Sequence, residues 1–216
     1  MGFLKKFTKQ EISWMMYDWA NSAHSVIVVT ILPIFFDTVA GYTADSVSSM
    51  STWGFATSLA MAIVALSAPF LGVFGDIRSM RKKLFTAFLL LGVASVAGLA
   101  FTPLMDFTSS PAAAGKVAAM VLVLYILSTI GFDASCIYYD AFLTDVTTED
   151  RMDSVSTLGY GLGYIGGSTI PLLIFLIMNA VGVPMLTSLA IIFAITAVWW
   201  LVFSLPLLKN CEQTTG

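Results

Sequence analysis

The sequence predicts an all-α, polytopic membrane protein of six transmembrane helices. Two observations carry that reading. Hydrophobic residues fill 58% of the 216 positions and charged ones only 11%, whereas an ordinary soluble domain is about 25% charged. The apolar residues also come in long runs, and run length separates a membrane span from a buried strand or an amphipathic surface helix. Mean hydropathy is +0.89.

An α-helix needs roughly 20 apolar residues to cross about 30 Å of hydrocarbon. Six stretches reach or approach that length: residues 12–39, 51–75, 84–104, 117–142, 155–182 and 185–208. The first opens on Asp18, Asn21, Ser22 and His24 before turning almost wholly apolar. The second holds no ionisable group before Asp76, and the third and sixth hold none except at their ends. The fourth contains Asp133, Tyr138, Tyr139 and Asp140. In the fifth, "GYGLGYIGG" sets Gly159, Gly163 and Gly167 at every fourth position, which lets helix backbones approach closely and reads as a packing device. Pro103, Pro171 and Pro206 fall within or at the ends of these spans, where membrane helices tolerate proline because neighbouring groups satisfy the freed carbonyls.

The expected organisation is a cytoplasmic N-terminal segment over residues 1–11, the six-helix domain over 12–208, and a cytoplasmic tail or linker over 209–216. No cleavable signal peptide is expected, since the first span is too long and lacks a small-residue cleavage site at its end. Cys136 and Cys211 show no metal-ligand spacing, so no metal and no cofactor is expected.

Short cytoplasmic loops hold an excess of Lys and Arg. Lys5, Lys6 and Lys9 precede the first span; Arg78, Arg81, Lys82 and Lys83 join the second to the third; Arg151 joins the fourth to the fifth; Lys209 follows the sixth. Nine of the ten basic residues thus fall on one side, with Lys116 on the other, so both termini are expected in the cytoplasm. The net charge of −3 and the lack of a basic stripe with interleaved aromatics argue against a nucleic-acid partner; membrane lipid is the expected surround.

An ionisable side chain in hydrocarbon is costly and normally faces a bundle interior or a water-filled cavity. The first and fourth spans are therefore expected to line such a cavity, with the third and sixth facing lipid. Asp18, Asn21, Ser22 and Ser25 follow at i, i+3, i+4 and i+7 on one helical face, and Asp133 and Asp140 lie seven residues apart on another. With about 1.5 Å of rise per residue, Asp18 and Asp133 are expected at similar depth on helices of opposite direction. Asp18, Asn21, Ser22, His24, Asp133, Tyr139 and Asp140 are the candidate solute and proton site. His24 falls off the Asp18 face, which suits packing or a single interhelical hydrogen bond better.

The loop "GVFGDIRSMRKK" resembles the signature turn of the major facilitator superfamily, matching it at Gly72, Asp76 and Arg81, with Ser79 and Met80 where Gly and a basic residue are usual. "WMMYDWANSAH" with "TILPIFF", and "YYDAFLTDVTTEDRMDSVSTLGYGLGYIGG", look like the branch that includes the fungal vacuolar amino-acid effluxer and its bacterial relatives. The likeness covers nearly the whole chain. It implies one half of a transporter that works by alternating access, the half being a pair of inverted three-helix repeats. It also implies a missing partner, either a second six-helix half or a second copy of this chain as a homodimer. A bacterial inner membrane is the expected location.

The function expected is secondary active transport of a small polar solute, such as an amino acid, with proton coupling through Asp133 or Asp18. Asp76 and Arg81 are expected to join Asp140 or Asp145 in a charge network that holds the inner side shut, with Gly72 in the same gating turn. A six-helix scaffold without transport activity is the alternative. An enzyme is not expected: Tyr139 and Asp140 superficially suit an intramembrane aspartyl protease, but Gly72 to Asp76 reads GVFGD where Gly-x-Gly-Asp is required, and there is no G-x-S-x-G serine elbow.

Overall fold

The structure, a computed structural model, describes residues 6–43 and 49–214. Lys5 and the outermost residues of both terminal segments lie outside the described residues. Six helical spans are long and apolar enough to cross a membrane: span 1 (Lys9–Ala40), span 2 (Ser49–Asp76), span 3 (Arg81–Leu104), span 4 (Pro111–Val146), span 5 (Glu149–Ala180) and span 6 (Met185–Asn210). Spans 1, 4 and 5 begin or end several residues beyond the apolar runs, and polar caps open spans 1 and 4. Thr8 opens span 1 with a capping box, its side chain accepting from Glu11 N while Glu11 accepts from Thr8 N. Ser110 caps span 4 ahead of Pro111.

Spans 1 and 5 each contain a widened π turn, at Ile27–Ile31 and Gly163–Ser168. Proline follows closely in both, as Pro33 and Pro171. The ring removes one backbone donor and clashes with the preceding turn, and a π turn absorbs the mismatch. Thr169 Oγ1 donates to the Tyr164 carbonyl at 2.9 Å, and Thr30 Oγ1 to that of Val26. Each hydroxyl bonds back onto a carbonyl at the edge of its π turn or within it.

The packing is reciprocal between the first three spans and the last three. Span 4 is covered by spans 2 and 3, span 1 by spans 5 and 6, and spans 3 and 6 meet each other. This is the pattern that two three-helix repeats of opposite orientation produce. Spans 3 and 4 approach closely: a Cβ on Gly131 would sit 2.6 Å from Gly92 Cα and 2.8 Å from the Phe88 carbonyl oxygen. Neither glycine was singled out by the sequence pattern. Trp200, Tyr17, Phe85 and Phe142 fill the space between the spans with no exposed surface.

Spans 2 and 5 are the outliers in burial. Span 2 buries 11% of its apolar window and span 5 buries 28%, against 44% for spans 1, 3 and 4. Phe55, Leu66, Phe70, Tyr160, Tyr164 and Ile165 are each more than 60% exposed. Spans 3 and 6, expected to be the lipid-facing pair, bury more of themselves than spans 2 and 5, because each backs onto both a polar span and the other triplet.

Candidate functional site

Tyr139 and Asp18 meet at the centre of the site. The Tyr139 hydroxyl donates to Asp18 Oδ2 at 2.8 Å, and the Tyr139 ring stacks on Trp14 at 4.3 Å between centroids. Trp14 Nε1 donates to the Tyr139 carbonyl at 2.8 Å, and Tyr17 and Ser135 share a buried hydroxyl pair at 2.7 Å. These bonds lock antiparallel spans 1 and 4 in register, so Asp18 lies level with Tyr139.

Beside them is a cavity of about 580 Å³. Span 1 contributes Trp14, Asp18, Asn21, Ser22 and Ser25; span 4 contributes Phe132, Cys136, Tyr139, Asp140 and Leu143; span 5 contributes Ser156, Tyr160, Tyr164 and Ser168. The polar face expected on span 1 is present in full. Span 5 was read as packing only, yet it supplies a whole wall. Its glycines still pack: a Cβ on Gly159 would fall 2.8 Å from Asp18 Oδ2, and one on Gly163 would fall 2.7 Å from Ser22 Oγ. Gly167 lies against the Trp19 carbonyl. Packing and cavity lie side by side on one helix, with Tyr160 and Tyr164 one turn apart and each next to a glycine of the packed stripe.

Asp133 and His24 do not join the cavity. Asp133 is half-buried, and its Oδ2 is buried with no hydrogen-bond partner among the described residues. Span 4 runs on to Val146, so Asp133 lies about 20 Å from that end, against about 14 Å for Asp18 from Lys9, at about 1.5 Å per residue. The expected common depth is therefore missed by more than a helical turn. His24 is 2% exposed, stacked on Phe132 at 4.7 Å and beside Trp200 at 5.0 Å. Neither ring nitrogen has a hydrogen-bond partner among the described residues. This is a packed imidazole among aromatic rings.

At the end of the bundle where the basic loops lie, Arg81 forms an ion pair with Asp145, and Asp76 lies 3.5 Å from the same guanidinium. Of the two acids considered on span 4, Asp145 takes the arginine and Asp140 the cavity. The segment after span 6 closes over this pair. Thr214 donates through its backbone N at 2.9 Å and through Oγ1 at 2.7 Å to Asp145 Oδ1, while Gln213 accepts from Arg81 N at 3.3 Å and donates to the Gly75 carbonyl at 3.2 Å. Cys211 is buried beneath, its thiol pushed up to about 12, chiefly by that burial. A Cβ on Gly72 would meet nothing within 4 Å, so the matched glycine makes no close approach within this chain.

A second ion pair was not anticipated. Glu11, 1% exposed, takes Arg151 Nε at 2.9 Å and Nη2 at 2.8 Å, together with Thr147 Oγ1 at 2.7 Å. It ties the start of span 1 to the turn between spans 4 and 5. The T-x-x-E capping spacing at Thr8 and Glu11 was the available sequence signal.

Six membrane-crossing helices in two reciprocal triplets, with a cavity carrying Asp18, Asn21 and Asp140 on its wall between spans 1, 4 and 5, define a multi-pass helical membrane protein. The chain belongs to the family described as vacuole effluxer Atg22 like, which it matches over residues 7–215. It is also 40% identical over 218 residues to the uncharacterized MFS-type transporter YxiO of Bacillus subtilis (strain 168), covering 97% of this chain and 48% of that one. The chain thus spans about half the length of the curated relative it matches. No solved structure matches it.

Proposed function

We propose that this chain forms one half of a secondary active transporter that moves a small polar solute, an amino acid being the first candidate, by alternating access with proton coupling. The observation that carries the reading is the cavity of about 580 Å³ between spans 1, 4 and 5, with Asp18, Asn21 and Asp140 on its wall. Carboxylates in a membrane domain belong to water-filled paths, and the volume falls in the usual range for small-ligand sites, about 300–1,000 Å³. Family membership and the MFS-type relative support transport over catalysis.

Asp18 is the better candidate for the coupling carboxylate. It lines the cavity and Asp133 does not. The second half of the assembly, whether the rest of a longer chain or a second copy of this one, belongs against spans 2 and 5. Those spans present the largest unburied apolar faces, and the open cavity wall cannot rest against acyl chains. The end carrying Arg81, Lys82, Lys83 and Arg151 is read as cytoplasmic by its positive charge, in a bacterial inner membrane. The Arg81, Asp76 and Asp145 network is the inner gate in this scheme.

The test is solute-driven proton uptake in proteoliposomes holding the complete assembly, with Asp18→Asn compared with Asp133→Asn. Uptake should fail in Asp18→Asn and persist in Asp133→Asn. Unchanged coupling in Asp18→Asn would overturn the proton assignment, and an assembly that moves no solute would return the chain to a scaffold role.

A further inference from the structure

We infer that the cavity captures the positively charged amine of its solute, held by the Asp18 carboxylate and the Asn21 amide oxygen against an aromatic wall. The inference rests on the cavity being a solute site and adds the charge and hydrogen-bonding character of what enters.

Asn21 is 6% exposed and faces the cavity. Its Nδ2 reaches only the Cys136 sulfur, at a long 3.8 Å, and its Oδ1 accepts no hydrogen bond from the described residues. That oxygen keeps contact with the open space of the cavity, so it is available to accept a hydrogen bond from whatever enters. Three residues earlier, Asp18 uses one carboxylate oxygen on Tyr139, and the described residues offer it no further donor. Two acceptors on one face of span 1 therefore look into the same space.

The rest of the lining sets the sign of the charge. Asp140 adds a second carboxylate, and no Lys, Arg or His is among the described lining residues. An anionic group would meet repulsion from both aspartates with no compensating cation, while an ammonium meets two acceptors that need its N–H groups. Tyr160 and Tyr164, each more than 60% exposed, supply aromatic surface on the cavity wall, and a cation is attracted to a ring face by its quadrupole. The carboxylate of a zwitterionic solute must then be met outside this half.

Ser25 and Ser156 line the same cavity and provide the test. Each is replaced by cysteine in the complete assembly, and labelling at that position is followed by peptide mass spectrometry. The probes are a trimethylammonium-ethyl methanethiosulfonate (cationic) and a sulfonatoethyl methanethiosulfonate (anionic). After correction for their rates with a free thiol, the cation should react about tenfold faster or more. Tyramine should protect both positions and 4-hydroxyphenylpropionate should not, a contrast that needs no Asp18 variant. Adding Asp18→Asn should reduce the cation preference. Equal rates, a preference for the anion, or protection by the carboxylate probe and not by tyramine would overturn the amine assignment while leaving a solute site in place. No labelling by either reagent at either position would remove the cavity as a wet site, and the transport reading with it.

Discussion

The hydroxyl of Tyr139 donates to the carboxylate of Asp18 at 2.8 Å across 121 residues of sequence, joining two antiparallel spans at the level of the cavity. Replacing Tyr139 by Phe removes this donor and leaves the ring free to stack on Trp14. Hydrogen bonds to charged groups contribute about 1.5–3 kcal/mol when buried. Asp18 is only half-buried, so a loss of about 1 kcal/mol is expected. Thermal unfolding of the purified protein measures it, and an unchanged midpoint would show that water replaces the bond without loss.

Arg81 and Asp145 form the second relationship to test. Their side chains are 5% and 0% exposed, so neither charge has water to fall back on. Removing one partner of a buried pair typically costs up to about 3–5 kcal/mol, because the other charge loses its partner. Here the exposed Asp76, 3.5 Å from the guanidinium, offsets part of that loss. Asp145→Ala should be destabilised on that scale, and Arg81→Leu with Asp145→Ala should recover part of the loss. Additive effects in this cycle would show that the two groups are energetically independent.

How much of this was legible in the sequence differs by level. The six spans followed from run length alone, since hydropathy is a property of composition along the chain. The polar face of span 1 followed from spacing, and all four of its residues reached the cavity. The depth of Asp133 was misjudged because it depends on where span 4 ends, and the C-cap at Thr147 is a local event that hydropathy does not mark. The cavity wall from Tyr160 and Tyr164 was missed because the glycine repeat beside them dominates the same helix. The Glu11–Arg151 pair joins residues 140 apart in sequence, a distance over which no local pattern speaks.

Ser79 holds a backbone φ of +65°, the left-handed region that glycine enters freely and where other residues lose about 1–2 kcal/mol. This is the position where the superfamily turn usually has Gly. Ser79→Gly should stabilise the protein by about 0.5–1 kcal/mol after allowing for the greater freedom of glycine in the unfolded chain. Chemical denaturation in detergent reads the shift, and a destabilised variant would mean that the serine hydroxyl contributes more than the strain removes.

Gly131→Ala should be severely disruptive, since its Cβ meets the backbone of span 3 at Gly92 and Phe88. Overpacking commonly costs about 1–3 kcal/mol, and a backbone neighbour has little room to yield. Gly115→Ala in the same span meets nothing within 4 Å and should gain about 0.5–1 kcal/mol of helix propensity. Equal behaviour of the two variants in folding yield and melting temperature would contradict the close approach of spans 3 and 4.

Cys211 gives a pH-dependent signature. Burial raises its thiol to about 12 in the folded chain, while the unfolded thiol ionises near the ordinary value of about 8.5. The folded state therefore favours the proton, and the stability this confers is fully present below about 8.5 and is lost as pH rises towards about 12. Cys211 should resist alkylation at pH 8 in the folded protein and react on unfolding. Rapid alkylation without unfolding would show that the segment after span 6 does not cover the ion pair.

The most direct measurement is water accessibility at two neighbouring positions of span 1. Ser22 lines the cavity, whereas Ala23 beside it is fully buried on the packed face. With cysteine placed at each position in the complete assembly, a membrane-impermeant thiol reagent should label residue 22 and spare residue 23. Protection of both positions would contradict a hydrated path at Asp18 and leave six helices packed around a structural core.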